Sequence, residues 1–178
     1  WMVGPTGTGK STVISQVAAA INQPLYVVPC HENMEAPELM GRYVVKDGTM
    51  TWQDGPLVEG MKDPQGAWVL LDEADTLRPG AAMVLHAPVE GRTVIVPETG
   101  EMLEPRQFGA KIICAGNTNG AGDASGLHDG TNRQNVALMG RFMIMEVGYP
   151  IEADETKIIL ENVPQMPELL AQQMALRD

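Results

Sequence analysis

Cysteine and histidine are scarce in this chain: two of the first, Cys30 and Cys114, and three of the second among 178 residues. Both cysteines sit in apolar surroundings without metal-ligand spacing, and they read as reduced core thiols of a cytoplasmic protein. Three histidines far apart in sequence do not make a metal cage, and His31-Glu32 reads as a structured turn after a strand. Basic residues are also few, 12 Lys and Arg against 23 Asp and Glu, for a net charge of -11. Contact with a phosphate backbone needs clustered cations, so the charge argues against a broad nucleic-acid surface, although not against a small basic ring around a pore. No apolar run approaches the roughly 20 residues that span a bilayer. The residues at hand open on no charged-then-apolar leader, which a truncation would remove, and no repeat or low-complexity segment interrupts them. Trp1 reads as part of a strand already under way, so the chain is expected to be a fragment lacking its N-terminal part.

What is present is an alternation of short apolar runs with helical stretches. Trp1 to Val3, Leu25 to Val28, Ala67 to Leu71, Lys111 to Ala115 and Phe142 to Val147 read as strands. The run from Ala67 to Leu71 is wholly apolar, as a strand covered on both faces must be. Lys10 to Ile21 reads as a helix whose apolar face is Val13, Ile14, Val17, Ala18 and Ile21, ended by Asn22 and Pro24. Strands alternating with helices predict an α/β fold, a five-stranded parallel sheet between helices. Two β-hairpin insertions break the rhythm. In one, Tyr43 to Val45 and Met50 to Trp52 flank Asp47-Gly48. In the other, Thr93 to Val96 and Glu101 to Leu103 flank Thr99-Gly100. Residues 1–150 are expected to form a nucleotide-binding core and 151–178 the start of an α-helical lid, with helices from Glu152 to Asn162 and from Pro167 onward.

The segment Gly4-Pro5-Thr6-Gly7-Thr8-Gly9-Lys10-Ser11 fits the phosphate-loop pattern G-x-x-x-x-G-K-[ST], between a strand and a helix as that motif requires. Glycines let backbone N–H groups face a phosphate, and the helix N-terminus adds its positive dipole end. Lys10 is placed to reach the β- and γ-phosphates and the Ser11 hydroxyl to bind Mg²⁺. Thr12 completes the candidate set at the helix start. Val69-Leu70-Leu71-Asp72-Glu73 brings two carboxylates to the carboxyl end of a strand, where ligands bind in open parallel sheets. Asp72 is expected to hold Mg²⁺ and Glu73 to polarise the attacking water. Asp75, next in Asp72-Glu73-Ala74-Asp75, reads as a helix-capping or solvated residue.

The strand Ile112 to Ala115 runs into Gly116-Asn117-Thr118-Asn119. Asn117 reads equally as a group that positions water and as a turn residue, which Asn favours. Arg141, in Leu138-Met139-Gly140-Arg141-Phe142, reads either as a surface ion-pair partner or as an arginine that acts on a neighbouring subunit, with Arg133 a second candidate. No Asn-Lys-x-Asp guanine-recognition motif is present, so ATP is the expected nucleotide.

The order of phosphate loop, Asp-Glu strand, Asn sensor and Gly-Arg-Phe before the last strand, with two hairpins, resembles the AAA+ ATPases of the MoxR group over about residues 1 to 150. Cys30-His31-Glu32, Gly41-Arg42-Tyr43 and Trp52-Gln53-Asp54-Gly55-Pro56-Leu57 resemble the CbbQ/NorQ activases. Ala115-Gly116-Asn117-Thr118, Gly122-Asp123, Gly126-Leu127-His128 and the long loop from Gly120 to Gln134 resemble CobS, the AAA+ subunit of ATP-dependent cobaltochelatase, which we favour. Gly140 departs from the Asp usual there and removes a local ion-pair partner for Arg141. The resemblance implies ATP with Mg²⁺, a homo-oligomeric ring (expected to be hexameric), Arg141 entering the neighbour's site, a partner carrying a von Willebrand A-type domain, and no membrane. Asp72-Glu73-Ala74-Asp75 also spells a helicase motif. Helicases of that kind carry Ser-Ala-Thr where this chain has Ala115-Gly116-Asn117, so a nucleic-acid motor is the lesser reading. A scaffold that binds ATP without hydrolysing it is the other, and Glu73 speaks against it.

Overall fold

The computed structural model describes residues 1–105, 109–120, 122 and 130–162. In chain order, β1 (Met2–Val3) leads into α1 (Lys10–Ala20), then β2 (Leu25–Pro29) and α2 (Ala36–Met40). A first hairpin, β3 (Gly41–Lys46) and β4 (Thr49–Asp54), precedes α3 (Pro56–Lys62) and β5 (Trp68–Asp72). A 3-10 turn at Ala74–Thr76 follows, then α4 (Pro79–Ala82), a second 3-10 turn at Met83–Leu85 and α5 (His86–Val89). The second hairpin is β6 (Val94–Val96) and β7 (Glu101–Leu103), followed by β8 (Lys111–Gly116), α6 (Val136–Met139), β9 (Met145–Glu146) and α7 (Glu152–Asn162). The chain divides into two compact units, Trp1–Val147 and Gly148–Asp178.

The five-stranded sheet has the order β2-β5-β8-β1-β9, parallel throughout, as the alternation predicts. The burial of β5 within it follows from composition. Val69, Leu70 and Leu71 are completely buried, and each side chain buried in this way contributes about 1.5–3 kcal/mol. Alternation sends Val69 and Leu71 into the main core with Val28, Leu57 and Cys114, while Leu70 faces Ile14 of α1 and Ala115. Both hairpins form on the turns expected of them. Asp47 and Gly48 both have positive φ, 52° and 77°, as a two-residue hairpin turn needs.

Three expectations are corrected. α1 ends at Ala20, and its buried positions are Lys10, Ile14 and Ala18 only, one residue per turn. Val13, Val17 and Ile21 stay 44–57% exposed, because the sheet covers a narrower stripe of the helix than the apolar pattern offers. The last strand is two residues long, Met145–Glu146; Met143 and Ile144 are exposed, and Phe142 packs edge-on against Trp1 at 5.5 Å rather than extending the sheet. The expected helix from Pro167 lies outside the described residues, as does most of the loop from Gly120 to Gln134. Among the described residues, no helix is long and apolar enough to cross a membrane.

The hairpins are tied to each other. The Tyr43 hydroxyl donates to the Glu98 carbonyl at 3.1 Å, and Lys62 at the end of α3 pairs with Asp54 of β4 and Glu101 of β7, both at 2.6 Å. Apolar side chains stand out from both, Val45 and Met50 on the first and Ile95 and Met102 on the second.

Both cysteines are buried and unpaired. Burial pushes the Cys30 thiol up to about 12, helped by the carboxylates of Asp72, Glu73 and Asp75, and pushes Cys114 up as well. A thiol whose neutral form is favoured this strongly is not a nucleophile near neutrality. Native protein at about pH 8 should therefore show no reaction with Ellman's reagent, and both thiols should titrate once the chain is unfolded in denaturant. Fast labelling of the folded protein would contradict the burial.

Candidate nucleotide-binding site

Strand order places the site. β8 lies between β1, which feeds the phosphate loop, and β5, which ends in Asp72. Parallel pairing brings the carboxyl ends of all three to one edge, with Val3 opposite Gly116 and Leu71 opposite Cys114. The loop at residues 4–9, Asp72-Glu73 and Asn117 therefore meet although they are far apart in sequence.

The loop is shaped by its glycines. Gly7 and Gly9 have φ of 84° and 78°, left-handed conformations that cost other residues strain. Gly4 is required for another reason: a Cβ there would collide with the backbone carbonyl oxygen of Val147 beside β9. The Gly4 N–H donates to the Gly116 carbonyl at 3.3 Å, and the Thr8 hydroxyl closes the loop on the Pro5 carbonyl at 3.0 Å. Gly9 caps α1 without a side-chain bond. The first N–H groups of the helix thus have no intrahelical acceptor and keep their attraction for an anion.

Lys10 is 9% exposed and folds back over the loop. Its ammonium donates to the carbonyls of Gly4 at 2.7 Å and Pro5 at 3.0 Å and to Asn117 Oδ1 at 3.3 Å. Burial lowers its pKa, and the charges of Asp72 and Asp75 oppose that shift. The Thr6 hydroxyl reaches the same Asn117 oxygen at 3.3 Å. Asp72 stands half-buried at the end of β5, its backbone carbonyl taken by Cys30 N–H at 2.8 Å. Glu73 is exposed and has φ of 54°, uncommon for a residue with a side chain. Such strain collects at functional sites. The turn it makes is held by Thr76, whose hydroxyl donates to the Glu73 carbonyl at 2.7 Å.

These residues line one cavity of about 250 Å³, formed by Thr6, Gly7, Gly9, Lys10, Ser11 and Thr12 on one side and Asp72, Glu73 and Asn117 on the other. Gly4, Pro5 and Thr8 support the loop without lining it. The donor set fits a phosphate chain with a divalent cation. It offers a lysine that already satisfies itself on carbonyl oxygens, a helix N-terminus, and a hydroxyl and carboxylate (Ser11 and Asp72) on opposite walls. Asn117, open in sequence between turn and site, has its side chain in the cavity.

Arg141 does not line this cavity. Its Nε pairs with Glu90 Oε1 at 2.6 Å, and its guanidinium also donates to the Ala137 carbonyl. The other oxygen of Glu90 holds Arg92. Glu90, just after α5, thus supplies the partner that Gly140 lacks, and no local signal around residue 141 could have named it. Arg133 is exposed. His31 lies 3.8 Å from Glu38 on an exposed turn, and the described residues contain no cluster of metal-ligating side chains.

Asp75 is the second residue that sequence reading missed. It is neither a cap nor solvated but completely buried. Its Oδ2 accepts from the N–H groups of Asn117 at 2.9 Å and Thr118 at 2.8 Å and from the Thr118 hydroxyl at 3.1 Å. The left-handed turn at Glu73 bends the chain inward, and that bend is invisible in a residue pattern.

Residues 1–142 match the AAA domain (dynein-related subfamily), and the chain belongs to that family. It is 33% identical over 157 residues to Protein NorQ of Paracoccus denitrificans, covering 88% of this chain and 54% of that one. It is 32% identical over 172 residues to the denitrification regulatory protein NirQ of Stutzerimonas stutzeri (96% and 58%), and 32% identical over 158 residues to Protein CbbQ of Hydrogenophilus thermoluteolus (88% and 55%). The chain thus spans little more than half the length of these curated relatives. A crystal structure of a candidate ATPase from Cytophaga hutchinsonii shares the fold, with a TM-score of 0.67 at 16% identity over 93% of this chain and 46% of that one.

The close fit at Gly4 is testable. Gly4→Ala should overpack the junction with Val147 and cost about 1–3 kcal/mol. For a domain of this size that lowers the melting temperature by roughly 2–4 °C per kcal/mol. An unchanged melting curve would mean that β9 gives way freely.

Proposed function

We propose that this domain binds and hydrolyses ATP with Mg²⁺, within a homo-oligomeric ring, and passes the work to a partner protein as an activase of the NorQ and CbbQ kind. The observation that carries the reading is the convergence of Lys10, Ser11, Asp72, Glu73 and Asn117 on one cavity. In the bound state Lys10 exchanges the Gly4 and Pro5 carbonyls for phosphate oxygens, which are stronger acceptors for an ammonium. Ser11 and Asp72 would hold Mg²⁺, which when bound would neutralise charge on the phosphates. Glu73 accepts the proton of the attacking water and Asn117 fixes its position.

Arg141 acts on the neighbouring subunit's nucleotide, which agrees with its absence from the lining of its own cavity. The ring is hexameric in this reading. The apolar tips of the two hairpins face the client, and the partner carries a von Willebrand A-type domain. The relatives named NorQ, NirQ and CbbQ support an activase over a cobaltochelatase subunit, which remains the alternative client class.

In the full-length protein, Glu73→Gln should retain ATP without turning it over, and mass spectrometry of that trapped state should recover a von Willebrand A-type protein. Recovery of nucleic acid in its place would sink the remodelling reading. Arg141→Ala should bind ATP normally and hydrolyse it about 10³-fold more slowly. Full turnover in that variant would remove Arg141 from the reaction.

A further inference from the structure

We propose that Asp75 is a positioning residue for hydrolysis, holding Asn117 in place from beneath the site. The inference rests on the reading of Asn117 given above and adds a residue to it. Asp75 follows Glu73 by two positions, in the 3-10 turn Ala74–Thr76. The left-handed turn at Glu73 leaves the Glu73 side chain exposed at the cavity while Asp75 is buried beneath it.

A buried carboxylate is costly unless it is hydrogen-bonded. Here one oxygen, Oδ2, accepts all three donors, the N–H groups of Asn117 and Thr118 and the Thr118 hydroxyl, at 2.8–3.1 Å. The Asn117 backbone is therefore anchored to the carboxylate, and its side chain can lie where Lys10 and Thr6 both reach it at 3.3 Å.

Two further observations show how close the fit is. A Cβ on Gly116 would come within 2.9 Å of the Asp75 carboxyl, so β8 runs directly against it. From the other side, the Asn132 N–H donates to the Asp75 backbone carbonyl at 2.7 Å. Asp75 is thus fixed by its own backbone and fixes Asn117 by its side chain. A displacement of about 1 Å in such a group costs on the order of 10²-fold in rate, while binding depends chiefly on the loop at residues 4–10, which Asp75 reaches only through the weaker influence of its charge on Lys10.

The test compares Asp75→Asn, Asn117→Ala and the double variant in the full-length protein, with kcat from steady-state ATP hydrolysis, Kd from a fluorescent ATP analogue and folding from thermal melts. Asp75→Asn should lower kcat about tenfold with Kd within about threefold, and the double variant should be slower than Asn117→Ala by less than about twofold. A residue that only supported folding would lower the melting temperature without separating kcat from Kd. Thr118→Val removes the hydroxyl donor alone and should lower kcat by about two- to fivefold, again with Kd kept. Wild-type kcat in folded Asp75→Asn, or losses that multiply in the double variant, would overturn the proposal. If Asp75→Asn does not fold, wild-type kcat in Thr118→Val overturns it instead. Wild-type kcat in Asn117→Ala would sink the reading of Asn117 itself, whereas a slow Asn117→Ala beside a fast Asp75→Asn sinks only the role of Asp75.

Discussion

Burial of β5 on both faces constrains everything at the site. Val69, Leu70 and Leu71 cannot turn toward solvent without exposing core on one side or the other. The strand must therefore lie inside the sheet, between β2 and β8, and its first polar residues emerge only at the carboxyl edge. Asp72 and Glu73 are those residues. The same edge receives the loop after β1 and the turn after β8, because all three strands run in one direction. Polar groups that would be costly inside the sheet are gathered where it ends, with a helix N-terminus facing them.

Charge organises the surroundings in a similar way. The chain is acidic, yet few carboxylates stand near the loop, and each has a distinct task in the geometry. Asp72 and Glu73 line the cavity, and Asp75 lies below it, gripping the backbone after β8. Glu90, which does not line that cavity, holds two arginines on its two oxygens. Lys62 bridges a carboxylate of each hairpin, so displacement of one hairpin strains the other. A surface ion pair contributes little to stability. Its weight here is geometric, since it couples two insertions that otherwise share few contacts.

Much of the fold is legible in residue order because its signals are local. The phosphate loop is one unbroken motif, the turns at Asp47-Gly48 and Thr99-Gly100 announce their hairpins, and the apolar run of β5 announces a covered strand. The errors arise where a contact partner decides the outcome. The pattern of α1 offers Val13, Val17 and Ile21 as core, but a helix resting on a sheet buries one stripe, and Ile14 and Ala18 occupy it. The run from Phe142 onward looks like a long strand, but β1 has only two residues to pair with it.

The sequence by itself determined the class of chemistry, through Gly4 to Ser11 and Asp72-Glu73, whose spacing along the chain is enough to define a phosphate loop and an acidic strand end. It also determined the parallel alternation and both hairpins. The tertiary structure alone decided that the Asn117 side chain enters the cavity, that Arg141 leans on Glu90, and that Asp75 is buried rather than solvated. Each depends on groups brought together from 42 or more residues apart by strand order and by a backbone turn at Glu73. A side chain's environment is set by what packs against it, and neighbours in space are not written in the neighbours in sequence.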